Sequence, residues 1–237
     1  MKLIILGNNG PYPCADGACS GYLLRSDSGR TNLLIDCGTG VLAKLSKHLP
    51  WDALDAVILS HLHFDHMSDM LPMQYALQFH PRAEALPVYA PLTPAPVRAL
   101  LDVPAYALHP MEDVQIGEFS VRFFRGRHPV ESHAMRIECD GAVFVYTGDT
   151  NEIENLDRFA ENADLLLADA GLNSADWKPT APHLCAAGCG HLARSARAHR
   201  LLLTHLNPKY LPASLADEAR TEFANVEIAT IGAEYAI

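Results

Sequence analysis

The stretch Ala56-Val57-Ile58-Leu59-Ser60-His61-Leu62-His63-Phe64-Asp65-His66 passes directly from an apolar run into three imidazoles and a carboxylate. The run Ala56–Ser60 is short, β-branched at its centre and uncharged, which predicts a buried strand. Polar groups packed this densely behind a buried strand cost free energy unless something pairs with them. Histidine and aspartate together form the donor set for zinc, iron or manganese. On extended chain leaving a strand, alternate side chains point the same way, so His61 and His63 can grip one cation. Asp65 and His66 lie past the bend and can face a second. A histidine-rich surface turn is the competing reading, and the preceding apolar strand argues against it.

Outward from this point the chain alternates short apolar strands, turns and helices. Lys2–Leu6, Gly21–Leu24 and Leu33–Asp36 read as strands, separated by turns at Asn8-Asn9-Gly10 and Asp27-Ser28-Gly29. Helices are expected over Val41–His48, Met67–Phe79, Pro94–Leu101, Ile153–Asn162 and near Ala186–His199. Further strands are expected at Val88–Ala90, Phe119–Phe123, Leu165–Ala168 and Leu201–Thr204. Ala134–Glu138 and Val143–Thr147 read as a hairpin turning at Asp140-Gly141. Sheets covered by helices follow from this order, an α/β sandwich forming a single domain over residues 1–237.

With 49% hydrophobic and 19% charged residues the chain can build a core, so a disordered chain is excluded. The formal net charge of −10 argues against a protein that coats a nucleic-acid duplex. Only a few apolar residues follow Lys2 before Gly7, too few for a signal-peptide core, and no run reaches the ~18 of a membrane span. The expectation is therefore a cytoplasmic protein without membrane association. Cys14/Cys19 and Cys185/Cys189 are close pairs among six cysteines, but neither has the two-residue spacing of a zinc site, so free thiols are expected.

The His-x-His-x-Asp-His string His61–His66 resembles the signature of the metallo-β-lactamase superfamily. Three later strings extend the resemblance: Arg127-His128-Pro129-Val130, Tyr146-Thr147-Gly148-Asp149-Thr150 and Leu201-Leu202-Leu203-Thr204-His205. It implies a four-layer αββα sandwich. It further implies one metal held by His61, His63 and His128, and a second held by Asp65, His66 and His205, with Asp149 bridging both. Zinc is the default for the two divalent ions, with manganese and iron(II) as alternatives. His133 is the rival to His128, but no strand signal precedes it.

His183, in Ala181-Pro182-His183-Leu184, resembles a non-ligand histidine of the branch that contains the tRNA 3′-processing endonucleases (RNase Z). Thr204–Tyr210, Gly7–Gly10 and Leu34–Gly38 resemble that branch too. The resemblance implies a catalytic role for His183 in phosphoryl transfer; His191 is its rival, placed inside the expected helix. RNase Z enzymes carry a tRNA-clamping arm between the third histidine and the bridging aspartate. Here the hairpin Ala134–Thr147 fills that interval, so tRNA is not the expected substrate. The short interval resembles the smaller phosphodiesterases of the superfamily.

The function expected is a dinuclear phosphodiesterase acting on a small phosphodiester, cyclic ones included. A hydroxide shared by the metals attacks phosphorus, His183 stabilises charge or protonates the leaving oxygen, and Asp65 orients the hydroxide besides ligating. A carbonyl hydrolase (lactonase, thioesterase or β-lactamase) on the same metals is the alternative, and a non-catalytic or di-iron redox protein a third class. A homodimer is an open option for assembly. Arg136, Lys209, Tyr210 and Trp177 are candidate substrate contacts, against the plainer readings of surface pairing and loop anchoring. Met67, Met70, Met73 and Tyr75 recur at roughly helical spacing and read as core.

Overall fold

Alternation in the first strand, β1 (Lys2–Gly7), shows how the layers arise. Leu3 and Ile5 point into a core shared by two sheets, while Ile4 and Leu6 point into a second core beneath helices. The same division holds in β3 (Asn32–Cys37), with Leu33 and Ile35 inward and Leu34 outward. In β11 (Leu165–Asp169) Leu165 and Leu167 face the inner core, Leu166 and Ala168 an outer one. A strand buried on both faces must read as a continuous apolar run, and these do.

The computed structural model describes residues 1–237. Its first seven-stranded sheet has the order β14-β1-β2-β3-β4-β5-β6. Besides β1 and β3 it contains β2 (Gly21–Arg25), β4 (Ala56–Ile58), β5 (Leu86–Tyr89), β6 (Tyr106–His109) and β14 (Glu234–Ala236). The second runs β13-β12-β11-β10-β9-β8-β7. Its members besides β11 are β7 (Val114–Ile116), β8 (Phe119–Arg125), β9 (His133–Cys139), β10 (Ala142–Tyr146), β12 (Leu201–Thr204) and β13 (Val226–Ile228). Helices α1 (Val41–Leu45), α2 (Phe64–Met67), α3 (Met70–Phe79) and α4 (Ala95–Arg98) belong to the first half of the chain, and α1, α2 and α3 pack on the first sheet. Helices α5 (Leu156–Phe159), α6 (Ala186–Ser195) and α7 (Pro212–Arg220) cover the second. The layering is αββα, as the resemblance implied.

Parallel pairing sets the site. β3 pairs with β4, β10 with β11 and β11 with β12, all in parallel. Their carboxyl ends therefore gather along common edges, where open α/β sheets place ligands. Asp36, Ser60-His61, Asp149, Asp169 and His205 all lie at or just past those ends.

Several local expectations shift. The helix expected over Met67–Phe79 is two, because the chain breaks at Ser68–Asp69. Asp69 there donates its N–H to the Cys37 carbonyl at 3.0 Å and accepts from the Leu42 N–H at 2.9 Å, capping α1. The helix expected over Ile153–Asn162 shrinks to Leu156–Phe159, bracketed by left-handed Asn155 and Asn162. The hairpin turn Asp140-Gly141 has positive φ at both residues (51° and 84°), which suits the twist of β9 and β10. Strands β6, β7, β13 and β14 and helix α7 have no counterpart in the sequence reading. Met67, Met70 and Met73 are core residues, whereas Tyr75 is exposed.

Candidate active site

Three overlapping sets of donor atoms converge where the sheet edges meet, the third made by Asp149, Asp169, His183 and His205. In the first, His61 Nε2 and His128 Nε2 each lie 3.0 Å from His63 Nδ1, and 3.5 and 4.0 Å from Asp149 Oδ2. In the second, His66 Nε2 lies 3.2 Å from His205 Nδ1, 3.3 Å from Asp149 Oδ1 and 3.5 Å from Asp65 Oδ2. Donor atoms bound at ~2.0–2.1 Å around a tetrahedral ion stand about 3.4 Å from one another, so both groups have the right spacing. The two oxygens of Asp149 divide between the groups.

Orphaned atoms make the same point. Asp65 Oδ2 and Asp149 Oδ1 are buried without any hydrogen-bond partner. Such atoms are costly without a partner, and a cation satisfies them. The donor set fits divalent ions.

The surroundings set the tautomers. Asp36 is fully buried and its Oδ2 accepts from His66 Nδ1 at 2.7 Å, from Tyr146 Oη at 2.9 Å and from Ser60 Oγ at 2.8 Å. Ser60 Oγ, having given its proton to Asp36, accepts from His61 Nδ1 at 3.1 Å. His128 Nδ1 donates to the Pro182 carbonyl at 2.9 Å. In His61, His66 and His128 this leaves the Nε2 lone pair aimed at the cluster, the arrangement that ligating histidines adopt.

Burial pushes His61 and His205 well below the usual imidazole range, and it lowers His63 and takes His128 to about 4. These rings are thus neutral, the form that binds metal. Burial also works against a charge on His66, but Asp149, Asp36 and Asp65 outweigh it and raise that ring well above the ordinary value. Three carboxylates around one point call for positive charge there.

Backbone geometry supports the site at unusual cost. Asp36 and His205 both have left-handed backbones, with φ of 55° and 53°. A non-glycine residue held there costs on the order of 1–3 kcal/mol and persists where its surroundings fix it. Gly10 lies against the His205 ring so closely that a Cβ would sit 2.0 Å from its Cε1. The Gly10 N–H donates to the Leu206 carbonyl, and the Leu206 N–H to the Asn8 carbonyl, tying the two segments together.

His183 stands beside both groups. Its ring stacks on His205 with centroids 4.9 Å apart and lies 5.5 Å from that of His128. Its Nδ1 donates to Asp169 Oδ2 at 2.9 Å and lies 3.7 Å from Asp149 Oδ2. Burial opposes a charge on this ring, but Asp169 and Asp149 outweigh it and lift the pKa to about 9.

The other candidates lie elsewhere. His133 does not join the cluster; its Nε2 is 3.9 Å from Glu131 and its Nδ1 has no partner. His191 faces outward on α6, bonded to Arg194. Arg136 pairs with Glu138 and the carbonyls of Phe159 and Glu161, so it is committed elsewhere. Lys209 and Tyr210 both bond Asp176, and Trp177 Nε1 donates to Asn151 Oδ1 at 2.9 Å. All six cysteines are free thiols, and none belongs to a donor cluster.

The sequence reading passed over Asp36, Ser60 and Asp169 as site residues. A signal existed for the two carboxylates: each ends an apolar run (Leu33-Leu34-Ile35-Asp36 and Leu165-Leu166-Leu167-Ala168-Asp169).

Comparison with known proteins agrees with this geometry. Residues 31–206 match the family described as the β-lactamase superfamily domain. YhfI of Bacillus subtilis, described as a probable metallo-hydrolase, is 36% identical over 241 residues, covering 98% of both chains. Its crystal structure, a metallo-β-lactamase fold protein, superposes with a TM-score of 0.92 over 99% of each chain. Ribonuclease Z of Natronomonas pharaonis is 26% identical over 94% of this chain and 93% of its own. The human short-form tRNase Z shares the fold, with a TM-score of 0.82 at 19% identity over 100% of this chain and 99% of its own. A His/Asp cluster in a metallo-hydrolase family implies divalent metal. The chain belongs to the β-lactamase superfamily and has the metallo-β-lactamase fold.

Proposed function

We propose that this metallo-hydrolase is a phosphodiesterase for small phosphodiesters, cyclic ones included, with two divalent ions as cofactors and zinc as the first choice. His61, His63 and His128 would hold one ion, Asp65, His66 and His205 the other, and Asp149 both. When bound, the ions supply an activated water near neutral pH and positive charge for the phosphoryl oxygens.

One observation carries the choice of substrate: the His183–Asp169 pair beside the carboxylate that both donor groups share. Asp169 occupies Nδ1 and leaves Nε2 without a partner in the chain, free to donate a proton. A protonated imidazole here can stabilise a phosphoryl oxygen or protonate the leaving alkoxide. The Asp169 carboxylate is itself anchored by the Gly171 N–H at 2.9 Å. Asp65 has one orphaned oxygen, suited to ligation and to orienting water.

Small substrates fit better than tRNA. β9 and β10 occupy the interval between His128 and Asp149, and no inserted arm projects from it. Metal-loaded protein assayed in parallel on bis(p-nitrophenyl) phosphate, a lactone, a thioester and a β-lactam should hydrolyse the phosphodiester fastest. Preference for any carbonyl substrate would replace this reading with the carbonyl-hydrolase one.

A further inference from the structure

The segment that presents His183 joins β11 to α6 and lies outside both sheets. A single bridge, Leu172 to Cys185, closes its base. Its middle is held by side chains of neighbouring segments: Lys209 and Tyr210 bond Asp176, and Asn151 holds the stretch nearest His183. Asn151 is wholly buried and follows the Asp149 strand end. Its Nδ2 donates to the carbonyl of Ala181 at 2.7 Å, with the carbonyls of Lys178 and Pro179 at 3.2 and 3.3 Å. Its Oδ1 accepts from Trp177 Nε1 at 2.9 Å and from the Glu152 N–H at 2.6 Å. Its own N–H donates to the Arg127 carbonyl at 3.0 Å, and the Arg127 guanidinium donates to the Pro179 carbonyl at 2.6 Å.

Three segments are thereby joined: the one bearing His128, the one bearing Asp149 and the one bearing His183. The primary amide supplies both needs here, a donor for the carbonyls and an acceptor for the indole. A carboxylate would set its oxygens against the Ala181 carbonyl.

We propose that Asn151, assisted by Arg127, is a positioning residue: it latches residues 177–182 so that His183 reaches Asp169. The inference rests on the reading of His183 as a group that acts on substrate. It assigns Asn151 no contact with substrate, only control of where His183 stands. A displacement of about 1 Å at a reacting group costs on the order of 10²-fold in rate.

The test is a double-mutant cycle on metal-loaded protein with bis(p-nitrophenyl) phosphate. Asn151→Asp should lower kcat about 10–100-fold, leave KM within about threefold and retain the parent's metal content. In a His183→Ala background the same change should cost less than about twofold, because the group it positions is gone. Arg127→Ala, at an exposed side chain, should show a smaller loss that His183→Ala also masks, and it decides the matter if the Asn151 variant does not fold. Full kcat, loss of metal, or equal losses in both backgrounds would overturn the latch. Parental activity in His183→Ala alone would overturn the reading beneath it instead.

Discussion

Asp36 and His66 form a buried carboxylate–imidazole pair, Oδ2 to Nδ1 at 2.7 Å, at the floor of the cluster. The same oxygen takes the Ser60 hydroxyl, which in turn fixes His61. One carboxylate therefore orients a histidine in each donor group. Asp36→Asn removes the charge and scrambles this pattern of donors. Metal affinity should fall about 10–100-fold, read by competition with a chelating dye; unchanged affinity would show that Asp36 does not orient the ligands.

The proposed roles of Asp149 and His183 separate metal binding from proton delivery. Asp149→Ala removes an oxygen from both donor groups and should release metal and abolish turnover together. His183→Ala leaves every proposed ligand in place; it should keep metal and lower kcat by ~10²–10⁴. Elemental analysis alongside kinetics distinguishes them. Metal loss in the His183 variant would make that residue a ligand.

Gly10 should tolerate no side chain. A methyl group would fall 2.0–2.3 Å from three atoms of the His205 ring, which is buried and cannot retreat. Gly10→Ala should empty the His205 side selectively, so metal content falls toward half that of the parent. A variant with the parent's full content would contradict that packing.

Glu118 gives a pH test away from the metals. It joins the β7–β8 turn to the β2–β3 turn, accepting from Ser28 at 2.5 Å and Arg30 at 2.6 Å. Hydrogen bonds from Ser28 and Ser26, with Arg30, hold its carboxyl at about 2, below the ordinary glutamate value. A lowered carboxyl stabilises the fold in full above the ordinary value, and the gain is lost as pH falls toward about 2. Glu118→Gln should lower the melting temperature at pH 6, and the gap should close as pH approaches 2. A gap that persists at low pH would mean the ionised carboxylate is not its source.

Apolar runs ending in ligand-type residues were legible in the sequence because strand burial and ligation leave local marks. Ala56–His66 and Leu201–His205 each carry strand and donors in one short string. The partners of the donors were not legible, since Asp36 meets His66 and Asn151 meets Ala181 only after folding. Nor was the last strand, β14: Glu234–Ala236 is short, with only Tyr235 buried, and becomes a strand by pairing with β1 at the other end of the chain. The break at Ser68–Asp69 was hidden for a similar reason, because Asp69 is drawn to α1 by a distant N–H that helical periodicity does not register.

The most direct test of the account is a metal titration of chelator-stripped protein, followed by hydrolysis of bis(p-nitrophenyl) phosphate. Activity should be absent without metal, rise with added zinc or manganese and level off at two equivalents. Full activity without metal, or none with two equivalents bound, would contradict a two-metal phosphodiesterase.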